Sequence, residues 1–164
     1  MSAALLETRP VSADGRATAY LHAGQLFVSV QPTLVTTILG SCVSVGLWDE
    51  QSGIGGINHY LLDYPVGAQP QAPRFGYLAI PLLIERLCAA GANRRNLAAK
   101  IFGGASINCT TPNSRLDLGG RNVDLAMEML ERERIPVLYS HVRGSRGRKL
   151  LFQTDDGCGW VKEL

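Results

Sequence analysis

Between residues 26 and 62 the chain offers four apolar, β-branched runs, each too short for an ordinary helix and each cut by turn-forming residues. A chain with that rhythm must build a sheet. Residues 26–30 set Leu26, Val28 and Val30 against Phe27 and Ser29, and residues 33–38 form a second run that Gly40 and Ser41 punctuate. Residues 43–48 follow as a third. Asp49, Glu50, Gln51, Ser52 and Gly53 supply turn chemistry before residues 54–62 resume as a fourth, so this half of the chain reads as antiparallel β.

The period then changes. Residues 63–76 hold Pro65, Pro70 and Pro73 with Gly67 and Gly76, which predicts a long surface loop. Residues 77–90 read as a helix closing at Gly91, with Pro81 tolerable only in its first turn. Residues 121–133 place Val123, Ala126, Met127 and Leu130 on one helical face, with Asp124, Glu128, Glu131 and Arg132 mostly opposite. Residues 97–102, 135–140, 149–154 and 159–163 complete the chain as strands, and residues 108–120 as a loop. Residues 1–23 lack a sustained period and are expected to be a loose arm before a single domain over residues 24–164. These elements predict an α/β (α+β) fold, a single layered domain with a mixed, β-rich sheet arrangement and two main helices.

At 164 residues and 46% hydrophobic, one core is expected. The 16 basic and 14 acidic residues nearly cancel, so no overall field draws the protein to nucleic acid or to an anionic membrane. Arg143, Arg146, Arg148 and Lys149 make the one dense basic stretch, without an aromatic residue for base stacking. No apolar run approaches the ~20 residues that span a bilayer, and Glu7 and Arg9 stand where a signal peptide needs an apolar centre. Cys42, Cys88, Cys109 and Cys158 lie far apart with no CxxC pair, so reduced, separate thiols in a cytoplasm are expected. Gly103, Gly104, Ala105 and Ser106 lack the following Lys of a phosphate loop and read as close sheet packing.

One cysteine and one histidine can meet. A hairpin closed on Trp48 and Gly53 sets Cys42 directly opposite His59, with Cβ atoms about 4.5 to 5.5 Å apart. An adjacent imidazolium would lower the thiol pKa and generate a thiolate nucleophile. Gly40 and Ser41 form a tight turn that can aim backbone N–H groups, that of Cys42 included, at a developing oxyanion. Thr36 or Thr37 can orient the imidazole as a third member. Gly55 and Gly56, before Asn58 and His59, permit close approach of a substrate backbone.

These same residues carry a resemblance. The stretch from Thr37 through Leu39, Gly40, Ser41 and Cys42 to Val45, followed by Gly55, Gly56, Ile57, Asn58 and His59, resembles the CheD family of bacterial chemoreceptor glutamine deamidases. The motifs KIFGGA (residues 100–105), GGRNV (119–123) and GRKL (147–150) fall in the family's order, so the resemblance runs from about Gly24 to the C-terminus. It implies a Cys, His and Thr triad of Cys42, His59 and, by a count of six residues before the cysteine, Thr36. Gly40, Ser41 and Asn58 are the candidates for oxyanion or positioning roles, and the resemblance also implies a fold like that of glutamine-deamidating toxins. The implied substrates are methyl-accepting chemotaxis receptors, with the phosphatase CheC as a partner in some bacteria, and no metal or organic cofactor is needed. A thioester on Cys42 would be hydrolysed to leave glutamate. The rival readings are a non-catalytic chemotaxis adaptor and a transglutaminase-like acyl transferase. Asp63 and Arg143 depart from the family's usual residues. For docking on a long receptor helix, Arg143 and Arg146 are the rim candidates, together with the proline-rich loop.

Overall fold

A strand covered on both faces must be apolar nearly throughout, and Val43–Asp49 (β4) is buried at every position. It belongs to a middle layer. A computed structural model of the chain describes residues 14–64, 72–107 and 116–164. Its five-stranded sheet runs in the order β2 (Leu26–Ser29), β5 (Ile54–Asn58), β4, β6 (Ala98–Gly103) and β7 (Val137–Val142). A four-stranded sheet runs β1 (Ala17–Tyr20), β3 (Thr33–Leu39), β8 (Arg148–Gln153) and β9 (Gly159–Glu163). Both sheets are mixed, because β1 lies parallel to β3 and β6 parallel to β7 while the other pairs are antiparallel.

Two cores follow from the alternation of side chains along β4. Val43, Val45 and Leu47 pack under the helices α1 (Gly76–Ala89) and α2 (Leu118–Arg132). Trp48 turns the other way and joins Val35, Leu39, Leu150 and Phe152 of the four-stranded sheet, with Cys42 packed against that cluster. Sheet, sheet and helices therefore form three layers, and Cys42 lies at the seam between the two sheets. This agrees with the expected layered α+β domain with two main helices.

Several expectations need correction. The arm foreseen over residues 1–23 is not wholly loose, since Ala17–Tyr20 pairs in register with β3; residues 1–13 lie outside those described. The hairpin closes on Asp49 and Ile54, so Trp48 faces Gly55 instead of Gly53. The Asp49 carboxylate accepts hydrogen bonds from the Gln51 and Ser52 N–H groups, and Gly53 takes a left-handed φ of 71°, which moves the turn along the chain. Pro81 lies past the first turn of α1, which nevertheless continues to Ala89. α2 begins at Leu118, ahead of the expected start, because the Asp117 carboxylate caps it by accepting from the Gly120 N–H at 2.9 Å. Half of the proline-rich loop, residues 65–71, lies outside the described residues, as does Cys109.

Candidate active site

The shifted hairpin register keeps the same parity. Val43 and Tyr60 form the bridge that extends the β4–β5 ladder, with N···O distances of 3.1 and 3.0 Å. Cys42 and His59 flank that bridge on one face. They are diagonal neighbours and not the directly opposed pair expected, a placement that holds Cα atoms about 7 to 8 Å apart and Cβ atoms somewhat closer. A register slip of one residue would have separated them; a slip of two does not.

His59 is 4% exposed, and its ring is held from the other sheet. Thr37 Oγ1 lies 2.8 Å from His59 Nδ1 and donates its own proton to the Leu21 carbonyl at 2.7 Å. A hydroxyl has a single proton to give, so toward the ring it accepts, and Nδ1 must carry the imidazole hydrogen. Nε2 is then the bare lone pair. It is buried and has no hydrogen-bond partner among the described residues.

This geometry corrects the expected third residue. β3 buries Thr33, Val35, Thr37 and Leu39 and turns its alternate positions outward. Thr36 lies in register between Tyr20 and Leu151, with Tyr20 42% exposed, on the face of the sheet away from His59. Thr37 alone reaches the ring.

Charge state is also corrected. Burial pulls the His59 pKa down to about 4, against the raising effect of the Leu21 carbonyl and with a smaller lowering from His22. Burial pushes the Cys42 thiol up, and its own backbone N–H only partly offsets this. At neutral pH the pair rests as thiol and imidazole, not as the thiolate and imidazolium expected. His59 is placed to receive a proton.

The turn before Cys42 is gripped by its neighbours. Gly40 C=O accepts from the Ala105 N–H at 2.9 Å, and Cys42 C=O from the Gly104 N–H at 2.8 Å. Gly103, at φ 102°, lies so close that a Cβ there would sit 2.2 Å from the Cys42 oxygen. The glycine pair of KIFGGA is therefore close packing, as the sequence indicated. The Cys42 N–H has no main-chain acceptor among the described residues. Ser41 lines a cleft of about 210 Å³ with Ala105, Ser106, Ile107, Asp117 and Gly119 among its walls.

Asn58 is not placed as an oxyanion donor. It is fully buried and faces away from His59 by strand alternation, and its Oδ1 accepts from the Val45 N–H at 2.8 Å. That bond bridges the gap in the β4–β5 ladder. Arg143 is turned to Asp124, with Nη2 2.6 Å from Oδ1, and Arg146 is exposed. Their loop touches the site's rim, because the Arg143 N–H donates to Gly103 C=O and the Ser106 N–H to Gly144 C=O. The buried Arg148 holds that loop by donating to the carbonyls of His141 and Arg143.

Asn122 was overlooked as a site residue, although it stands inside GGRNV. Its Nδ2 donates to Ser41 C=O at 3.0 Å and to Leu61 C=O at 2.9 Å. Nothing in the spacing of α2 marks it, since a helix face does not reveal which distant carbonyls it will meet. Among the described residues no three His, Cys, Asp or Glu side chains converge on a metal site, and no helix is long and apolar enough to cross a membrane.

A family model described as CheD chemotactic sensory transduction matches residues 64–163. An Anaeromyxobacter dehalogenans protein named probable chemoreceptor glutamine deamidase CheD 1 is 50% identical over 150 residues, covering 92% of this chain and 86% of that one. A Sulfurimonas denitrificans protein named probable chemoreceptor glutamine deamidase CheD is 41% identical over 143 residues, covering 87% and 92%. Among solved structures, a Neisseria meningitidis protein of family DUF152 overlays with a TM-score of 0.49 at 13% identity, covering 88% of this chain and 77% of that one.

Proposed function

The chain belongs to the CheD family, and we propose that it hydrolyses glutamine side-chain amides of methyl-accepting chemotaxis receptors to glutamate, using Cys42, His59 and Thr37. The observation that carries the catalytic assignment is the buried imidazole whose Nδ1 is engaged by Thr37 while Nε2 has no partner. A histidine kept merely for packing has no need of a bare, buried lone pair on the face it shares with a cysteine.

In this mechanism Nε2 removes the thiol proton as Sγ attacks the glutamine δ-carbonyl, so the thiolate forms only as it is consumed. The Cys42 N–H donates to the oxyanion. The imidazolium then gives its proton to the departing nitrogen, ammonia leaves, and a thioester remains on Cys42. His59 next takes a proton from water, which attacks the thioester; the carbon–sulfur bond breaks, the thiol is restored and glutamate is released. General acid–base help of this kind is worth about 10²- to 10⁴-fold, and an oxyanion donor about 10²- to 10³-fold.

The cytoplasm as the place of reaction and CheC as a partner are further parts of this proposal, supported by the family resemblance. The loop from Arg143 to Lys149 would meet the receptor, supported by its contact with residues 103–106. The test is mass spectrometry of a receptor co-expressed with the parent protein or with Cys42→Ala. Each deamidation adds about one mass unit, and the parent alone should produce it together with ammonia. An unmodified receptor beside the folded parent, or equal modification by Cys42→Ala, would overturn the mechanism. A product carrying an added primary amine in place of water would assign the chain to acyl transfer.

A further inference from the structure

We infer that Asn122 is a positioning residue for the deamidation, a carboxamide splint that fixes the Cys42 turn against the His59 strand. The inference rests on the catalytic reading above and assigns a task that Cys42, His59 and Thr37 cannot perform for themselves. Cys42 and His59 lie on separate segments that β-pairing joins only at the single Val43–Tyr60 bridge near the site. The regular β4–β5 ladder stops at Gly46 and Ile57.

Asn122 closes that gap from the helical layer. Its side-chain nitrogen has two protons and donates to two carbonyls, one on Ser41, next to the nucleophile, the other on Leu61, two residues beyond the base. The residue is fully buried. The Tyr60 hydroxyl, also fully buried, donates to the Asn122 main-chain carbonyl at 2.5 Å and so fixes the helix turn that carries the amide. The orientation of the amide is dictated, because turning it over would set Oδ1 against two carbonyl oxygens. In the observed orientation Oδ1 is buried without a partner among the described residues. An unpaired buried acceptor is unfavourable, and a residue kept only to fill space would be apolar. The polar group is retained for what its nitrogen holds.

Among the described residues, no other side chain donates to either flank of the pair in this way. Asn58 ties β5 to β4 through Val45, farther along the ladder. Removing the Asn122 splint should leave the reacting groups present but badly aimed, and an error of about 1 Å in such a site costs about 10²-fold in rate.

The test uses Asn122→Asp, which keeps shape and volume but presents oxygens to both carbonyls, and Asn122→Ala, which removes the group. Ammonia release from a purified receptor cytoplasmic fragment is followed to separate kcat from KM, with thermal unfolding of each variant measured alongside. We expect kcat to fall about 10²-fold in both variants, KM to stay within about threefold, and cooperative unfolding to persist. A purely packing role would spare Asn122→Asp. The inference is overturned if folded Asn122→Asp keeps kcat within about threefold of the parent, if the loss falls on KM alone, or if neither variant folds, since the amide would then hold the domain and not the site. Parent and Cys42→Ala are run as controls. An inactive parent, or an active Cys42→Ala, speaks against the catalytic reading itself, whereas an active parent with an inactive Cys42→Ala and an unaffected Asn122→Asp refutes the splint alone.

Discussion

A single hydroxyl decides which nitrogen of His59 is left without a partner. Thr37→Val keeps the shape and removes the acceptor, so kcat for deamidation should fall on the order of 10²-fold, while Thr36→Val, on the outer face, should leave it unchanged. Equal effects in the two variants would contradict the assignment. The buried imidazole also has a thermodynamic signature. Folded His59 takes its proton near pH 4, against an ordinary value of 6.5. Between those values the unfolded chain binds more protons than the native one, so stability is fully present above about pH 6.5 and is lost as pH falls toward 4. The loss is about 2 to 3 kcal/mol by pH 4.5. Urea unfolding of the parent and of His59→Asn at pH 7 and pH 4.5 checks this, since carboxylates that titrate in both proteins cancel in the comparison. The parent should lose that much more than the variant; parallel losses would show that the ring does not titrate as described.

Strands set what the sequence could and could not tell. Short β-branched runs made four of the first five strands readable, and the apolar stripe of α2 made that helix plain. β1 was missed because four residues, Ala17–Tyr20, are too few to show a period. Thr36 and Thr37 could not be separated because β3 carries apolar residues on both parities, Val35 and Leu39 inward and Leu34 and Ile38 outward. Only the second sheet decides which face is the core. The Cys42–His59 pairing was legible because parity survived the two-residue error in register. Asn122 was not, because its partners are far away in the chain. The bend after β6 offers a test at this scale. Gly103→Ala adds a methyl 2.2 Å from the Cys42 carbonyl at a left-handed φ. It should destabilise the protein by about 1 to 3 kcal/mol and lower kcat together with stability. Chemical denaturation and steady-state kinetics on the same preparation check it, and a variant as stable and active as the parent would show that the contact relaxes freely.

At the scale of the whole molecule, the site draws on three layers, with Thr37 from one sheet, Cys42 and His59 from the other, and Asn122 from a helix. In the proposed reading, binding a receptor is a separate matter for the rim. Neutralising Arg143 and Arg146 together, as Arg143→Gln with Arg146→Gln, should raise KM for receptor several-fold at low ionic strength and flatten its salt dependence. Alkylation of Cys42 by iodoacetamide should proceed at the parental rate. Parental receptor turnover, or lost alkylation, would remove the basic loop as a docking surface. The layering has a further consequence in the order of synthesis. Thr37 emerges from the ribosome early, but β3 lies between β1 and β8, and its partner Leu150 follows only long after it in the sequence. A nascent chain halted before Arg148 already carries every reacting side chain, yet lacks the strand that completes the wall from which Thr37 reaches His59. On the proposed mechanism, hydrolytic power therefore waits for β8, and a chain stopped short of that strand should be chemically silent.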